Sequence, residues 1–271
     1  KYPCYNQLGE PLWPDRWNKE ALEHRKMEIG SLKFTREYLC VPISTGTSLF
    51  APEHLEAAKS HDDILRISQR KEQGYKYYVG VDPAISTDGD YNVIMVLEVD
   101  ENKNKRICFV DRSKNVEFRE NINKIKLLGK MFDPEVVLFE TNTFAKSFTQ
   151  ELRTMTDLNV KDFTTTRKKK EEIILNLQMN LENNKIKLPY GNNESQKVSK
   201  AIIDEMSMFS ITDRGRFEGV GAHDDLVMAL ALANSATHLM GETFVLIEDM
   251  DIFGDNQPDT FNINPGITGL W

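Results

Sequence analysis

Two short runs of strand-forming residues each stop at a carboxylate: Tyr77-Tyr78-Val79-Gly80-Val81 before Asp82, and Val136-Val137-Leu138-Phe139 before Glu140. The second run is almost wholly apolar, as expected of a strand covered on both faces of its sheet. TDGDYNVIMVLEVD opens with an Asp-Gly turn signal before another β-rich run, and KRICFVDR is a third. Together with Tyr77–Val81 they predict a three-strand antiparallel meander. Residues 117–131 have helical spacing, with Phe118, Ile122, Ile125 and Leu128 on one face. Further helices are predicted over about 144–155, 169–183, 194–208 and 223–240. A short strand is expected near Val160, KIKLP forms a segment before the third of these helices, and RGRFEG has the look of a small hairpin. The fold class is therefore α/β, a mixed central sheet flanked by helices.

The acids then acquire a common address. If the strands ending at Asp82 and Glu140 are neighbours, the two side chains emerge together at one sheet edge. Asp224 and Asp225, which open the helix LVMALALAN, are carried over them. Three packed carboxylates at neutral pH either protonate or take up a cation. Hard oxygen donors suit Mg²⁺ or Mn²⁺, and two such ions about 4 Å apart serve phosphodiester cleavage, with water rather than a side chain as nucleophile.

Taken singly, an acid at a strand end is a turn or cap residue, and an Asp before a helix is an N-cap. The chain holds its own comparison, because His61-Asp62-Asp63 repeats His223-Asp224-Asp225. The first copy is predicted to cap a short polar helix. The second heads a core helix on which Asp225, Met228, Ala229, Leu232 and Ala236 form a stripe of apolar and small residues. Asp224 shares a more mixed face with Val227, Ala231 and Ser235. Asp225 is thus the expected ligand and Asp224 a cap or second ligand. His223 is a candidate for proton transfer or for orienting a carboxylate.

A formal net charge of −8 does not exclude nucleic acid, because six acids and no Lys or Arg fall in residues 241–271. Elsewhere KDFTTTRKKK concentrates positive charge, and Arg167, Lys168, Lys169 and Lys170 at a helix start are candidate DNA-phosphate contacts. Thr164, Thr165 and Thr166 can add positioning hydrogen bonds there. Lys146, soon after Glu140, and Arg214 and Arg216, flanking Gly215 in the hairpin, are further candidates. Cys4, Cys40 and Cys108 are dispersed, which argues for reduced thiols and against a zinc site. No apolar run reaches bilayer length, so no membrane partner is expected. The start at Lys1 leads us to expect a fragment of a longer chain.

A meander followed by helix, strand, helix, strand and more helices is the element order of the ribonuclease H-like fold. GVDPA, VVLFETNTFAKSF, a Thr-Arg-Lys helix running to KIKLP, and GAHDDLVMALALA together resemble the large terminase subunits of tailed bacteriophages. REYLCVPISTGTSLFAPEHL looks like the segment that joins their motor to their nuclease, and the resemblance spans about residues 34–240. It implies residues 1–70 as linker or edge of a motor domain, 71–241 as the nuclease and 242–271 as an acidic tail. It implies Asp82, Glu140 and Asp225 as the acids holding two Mg²⁺ or Mn²⁺ ions, with Asp224 nearby. Asp90 is an accessory candidate, although Asp88-Gly89 beside it also reads as a plain hairpin turn.

The implied function is an endonuclease cutting concatemeric viral DNA during packaging. The implied partners are double-stranded DNA, an ATPase motor domain of the same polypeptide, the portal protein and the small terminase subunit. The implied location is the host cytoplasm, transiently at the procapsid portal and not in the mature virion. The motor's phosphate loop GxxxxGK[ST] is not found, so ATP hydrolysis is not expected of this segment. An exonuclease of this fold would want a second acid two residues after the first, where this chain has Asp82-Pro83-Ala84. A transposase or resolvase would lack the motor-linker stretch. A non-catalytic scaffold binding DNA or portal would not need the intact acids.

Overall fold

The computed structural model describes residues 2–42, 46, 48–66, 71–83, 91–141, 145–212, 214–219 and 223–239. Asn18 starts α1 (Lys19–Ile29) by accepting the Ala21 N–H at 2.8 Å. Gly30, at φ 81°, ends it and leads into α2 (Ser31–Glu37). Then follow α3 (Pro52–Ala57), with proline in its first turn, and the short β1 (Lys59–Ser60). The predicted meander is present as β2 (Lys76–Asp82), β3 (Asn92–Val99) and β4 (Lys105–Ser113). After it come α4 (Phe118–Phe132), β5 (Val136–Glu140), α5 (Ala145–Met155) and β6 (Val160–Phe163).

Thr166 caps α6 (Arg167–Glu182), accepting the Lys169 N–H at 3.3 Å. KIKLP supplies β7 (Ile186–Pro189), and Asn192 caps α7 (Asn193–Ser207) at 2.8 Å. A hairpin of β8 (Phe209–Ile211) and β9 (Phe217–Gly219) precedes α8 (Asp225–Ala236).

Among the described residues the main sheet has seven strands in the order β1-β7-β4-β3-β2-β5-β6. The three central strands are antiparallel, while β5 and β6 extend one side and β7 and β1 the other, all in parallel pairs. Both faces are covered, which is why the strands read as continuous apolar runs. Tyr77, Val79, Val81, Val137 and Phe139 pack with residues of α4 and α5. Tyr78, Val136 and Leu138 pack on the opposite face with α6 and α8. Leu49, Phe50 and Leu55, upstream of the meander, join this second layer.

Strand alternation now fixes a direction. Asp82 is two residues beyond Gly80 and Glu140 two beyond Leu138, so both acids belong to the face covered by α8. Gly80 is what lets α8 lie so close. A Cβ placed there would overlap the Ala229 carbonyl oxygen and the Ala233 nitrogen, and would stand 3.0 Å from the Ala233 Cα.

Two local expectations differ from the structure. Among the described residues no helix follows His61-Asp62-Asp63; Asp63 instead forms an ion pair with Arg106 at 2.5 Å, and its carbonyl accepts the Gly191 N–H at 2.8 Å. Helix α8 is also buried on every side. Val227 and Ala231, on the face assigned to Asp224, are as fully covered as Ala229 and Leu232. A helix apolar all round lies inside the core, so its faces do not tell Asp224 from Asp225. Among the described residues no helix is long and apolar enough to cross a membrane.

Substituting Gly80→Ala drives a methyl group into the backbone of α8. The expected loss is at or beyond the upper end of the about 1–3 kcal/mol typical of overpacking. Urea denaturation measures it; an unchanged midpoint would show that the helix is free to retreat.

Candidate active site

The parallel register pairs Tyr78 with Val136 through Val81 with Phe139, so the next residues, Asp82 and Glu140, leave adjacent strands side by side. Their carboxyl groups are close neighbours, each facing the other's charge. Burial first, then the charge and hydrogen bond of Glu140, then the charges of Asp225 and Asp224, push the Asp82 carboxyl well above the usual carboxylate range. The sign matters. A carboxyl with a raised folded pKa favours folding in its protonated form, and that contribution is lost as pH rises and the group ionises. Nearby positive charge is the remedy.

Asp225 is the third member. Its Oδ2 accepts the Tyr91 main-chain N–H at 3.3 Å and lies 3.6 Å from Nδ1 of His223. Burial raises its pKa, opposed chiefly by the Tyr91 N–H and by His223. Asp224 makes no side-chain cap bond, contrary to the simplest expectation for its position. It forms an ion pair with Lys170 at 2.8 Å instead.

The open N-terminus of α8 is satisfied from another helix. Glu205, on α7, accepts the Leu226 N–H at 2.9 Å and pairs with Arg112 at 2.6 Å. Burial pushes its pKa up to about 7 despite Arg112 and the backbone donors. Thr165, just past β6, donates its hydroxyl to Glu140. Thr141 and Thr164 hydroxyls lie 3.4 Å apart beside it.

The structure therefore brings Asp82, Glu140, Asp225 and Asp224 to one edge, with His223 half-exposed next to Asp225. The basic candidates divide. Arg167 donates to the carbonyls of Arg214 and Gly215, at 3.3 and 2.9 Å, and so ties α6 to the β8–β9 hairpin. Arg214 and Arg216 are exposed at that hairpin turn, the latter 3.8 Å from Glu218. Lys168 and Lys169 are exposed in the first turn of α6, whereas Lys170 is drawn in to Asp224. Asp90 lies outside the described residues, as do the side chain of Lys146 and the acidic tail.

Sequence reasoning missed the roles of Thr165, Tyr91 and Glu205. Strand register locates Thr165, because Glu140 pairs with Phe163 and the following residues must pass it. Nothing local marks Glu205, one acid among several on a half-polar helix.

The donors at the edge are all carboxylate oxygens, which fits a hard divalent cation. Among the described residues no three His, Cys, Asp or Glu side chains are already gathered tightly enough to clasp one. Their oxygens are instead taken by Thr165, the Tyr91 N–H, Lys170 and each other.

A meander extended by parallel strands, with acids at one edge, is the ribonuclease H-like arrangement of a terminase nuclease domain. The chain belongs to the terminase RNase H-like domain family, whose model matches residues 79–236. Solved structures of similar fold include the large terminase nuclease of thermophilic phage G20c with bound magnesium. It has a TM-score of 0.56 and 22% identity over 72% of this chain and 98% of that one. The same nuclease is known with cobalt and with zinc. The large terminase nuclease domain of Thermus phage P74-26 gives 0.53 and 23%, over 70% and 95% of the two chains. A longer relative, the large terminase of another thermophilic bacteriophage in complex with ADP, gives 0.59 and 16%, over 83% of this chain and 53% of that one. No curated protein matches the chain.

Removing the carboxylate in Glu205→Ala leaves the Leu226 N–H and Arg112 without their partner. A loss of about 1–3 kcal/mol is expected, partly restored in Glu205→Gln, which still accepts the N–H. Equilibrium unfolding reads both, and equal stability of the alanine variant would remove the capping role.

Proposed function

We propose that this domain is a metal-dependent endonuclease that cuts concatemeric viral DNA during genome packaging. The convergence of Asp82, Glu140 and Asp225 at one sheet edge carries this reading. The family and the metal-bound relatives support it. Asp82 and Glu140 would hold one Mg²⁺ or Mn²⁺ ion, and Asp82 with Asp225 the other. When bound, such a pair activates water for attack on a phosphodiester and stabilises the leaving oxygen.

The chain's own residues prepare the edge. Thr165 fixes the direction of Glu140, and the Tyr91 N–H does the same for Asp225. Lys170 balances Asp224, leaving it as a reserve donor. Lys168, Lys169, Arg214 and Arg216 present positive charge to DNA phosphates on the β6 side, where contact supplies affinity without sequence choice.

The resemblance upstream of β2 and the greater length of the ADP-bound relative support a motor domain in the same polypeptide. Portal protein and small terminase subunit complete the proposed partners, with action in the host cytoplasm at the procapsid portal.

Asp82→Asn is expected to abolish plasmid nicking in Mn²⁺ while the thermal midpoint stays at or above the wild-type value, since a buried repulsion has been removed. Undiminished cutting by that variant would overturn the reading. If the wild type neither cuts nor takes up divalent cations in calorimetry, the domain is a scaffold instead.

A further inference from the structure

The edge that carries the acids has a second charged flank, on the side away from α6. Strand β4 ends at Ser113, so Lys114 leaves the sheet at the same edge where Asp82 leaves β2 and Glu140 leaves β5. Because β3 is antiparallel to both β2 and β4, its start lies there too. Asp82 pairs with Val93, Val93 with Arg112, and Asn92 with Ser113, which sets Tyr91 beside Lys114.

The Tyr91 ring gathers cations. The Arg112 guanidinium lies 3.9 Å from its centre and the Lys114 ammonium 4.3 Å, with the His223 ring edge-on at 5.3 Å. Arg112 is neutralised by Glu205. Lys114 is exposed and, among the described residues, forms no ion pair; the aromatic face holds it in place of a carboxylate. Its charge is thus positioned and, among the described residues, uncompensated. The same Tyr91 donates its main-chain N–H to Asp225, so this cation is anchored one residue from the acid cluster.

We propose that Tyr91, Arg112 and Lys114 form a phosphate anchor for the DNA strand on the β4 side of the cleavage site, a proposal that rests on the nuclease reading above. Two strand spacings, about 10 Å, separate β4 from β2, which places the anchored phosphate within a few nucleotides of the one at the acids. Counting on to β6, where Lys168 and Lys169 follow, five adjacent strands span about 19 Å. That is less than one helical turn, about 34 Å, so both flanks can meet backbone phosphates within a single turn of duplex. The acids thus lie between two cationic flanks, each facing a DNA backbone. Lys114 is the contact, Tyr91 the positioning residue, and Arg112 links the ring to α7 through Glu205.

Binding of a labelled duplex to the full chain, followed by fluorescence anisotropy in EDTA, tests this without any cleavage. Lys114→Ala is expected to weaken binding several-fold at low salt and to flatten the salt dependence by the equivalent of one phosphate. The gap from wild type then narrows about threefold between roughly 50 and 200 mM salt. Tyr91→Ala should mimic it, and Tyr91→Phe, which keeps the ring, should not. Lys103→Ala, at the β3–β4 turn on the far edge, removes the same charge and should leave affinity unchanged. Equal affinity and slope for Lys114→Ala, or an equal loss in Lys103→Ala, would overturn the anchor while a nicking wild type left the nuclease reading intact. A wild type that binds no duplex would sink both.

Discussion

Carboxylates crowded at one sheet edge repel one another, and most of the unusual contacts nearby answer that repulsion. Thr165 donates to Glu140, the Tyr91 N–H and His223 face Asp225, and Lys170 pairs with Asp224, while Asp82 is held well above the usual carboxylate range. Glu205 adds a further acid to the neighbourhood, yet it is engaged by Arg112 and the first turn of α8. These partners keep the edge folded without extinguishing its demand for positive charge. A site of this kind is costly in isolation and becomes favourable once cations are supplied.

The same logic accounts for the charge map. Six of the acids behind the net charge of −8 lie in residues 241–271, so the rest of the chain is close to neutral. Near the acids, exposed cations stand on either side, at the start of α6 and after β4. In the proposed complex it is the placement of charge, rather than its total, that would orient a duplex.

Much of this was legible in the chain. The run from Val136 to Phe139 announced a strand covered on both faces, and its stop at Glu140, like the stop at Asp82, announced an edge. Parallel pairing of the two strands did the rest. The choice between Asp224 and Asp225 was not legible, because α8 is buried all round and apolar periodicity carries no direction there. It is Lys170, far away in sequence, that claims Asp224. Glu205 was hidden for the same reason: its partners Arg112 and Leu226 are 93 and 21 residues away, and local pattern is silent on such pairings. His61-Asp62-Asp63 misled because a capping signature says nothing of a distant arginine ready to take the acid.

Gly80 bears on how such a site can drift. The atoms that would meet a new Cβ are main-chain atoms of α8, the Ala229 oxygen and the Ala233 nitrogen. Trimming the side chains of α8 would therefore relieve nothing, and no second-site suppressor on that helix is available. Lineages that keep Asp225 within reach of the strand ends must keep glycine here, while positions whose contacts are side chain to side chain remain free to exchange bulk with their neighbours.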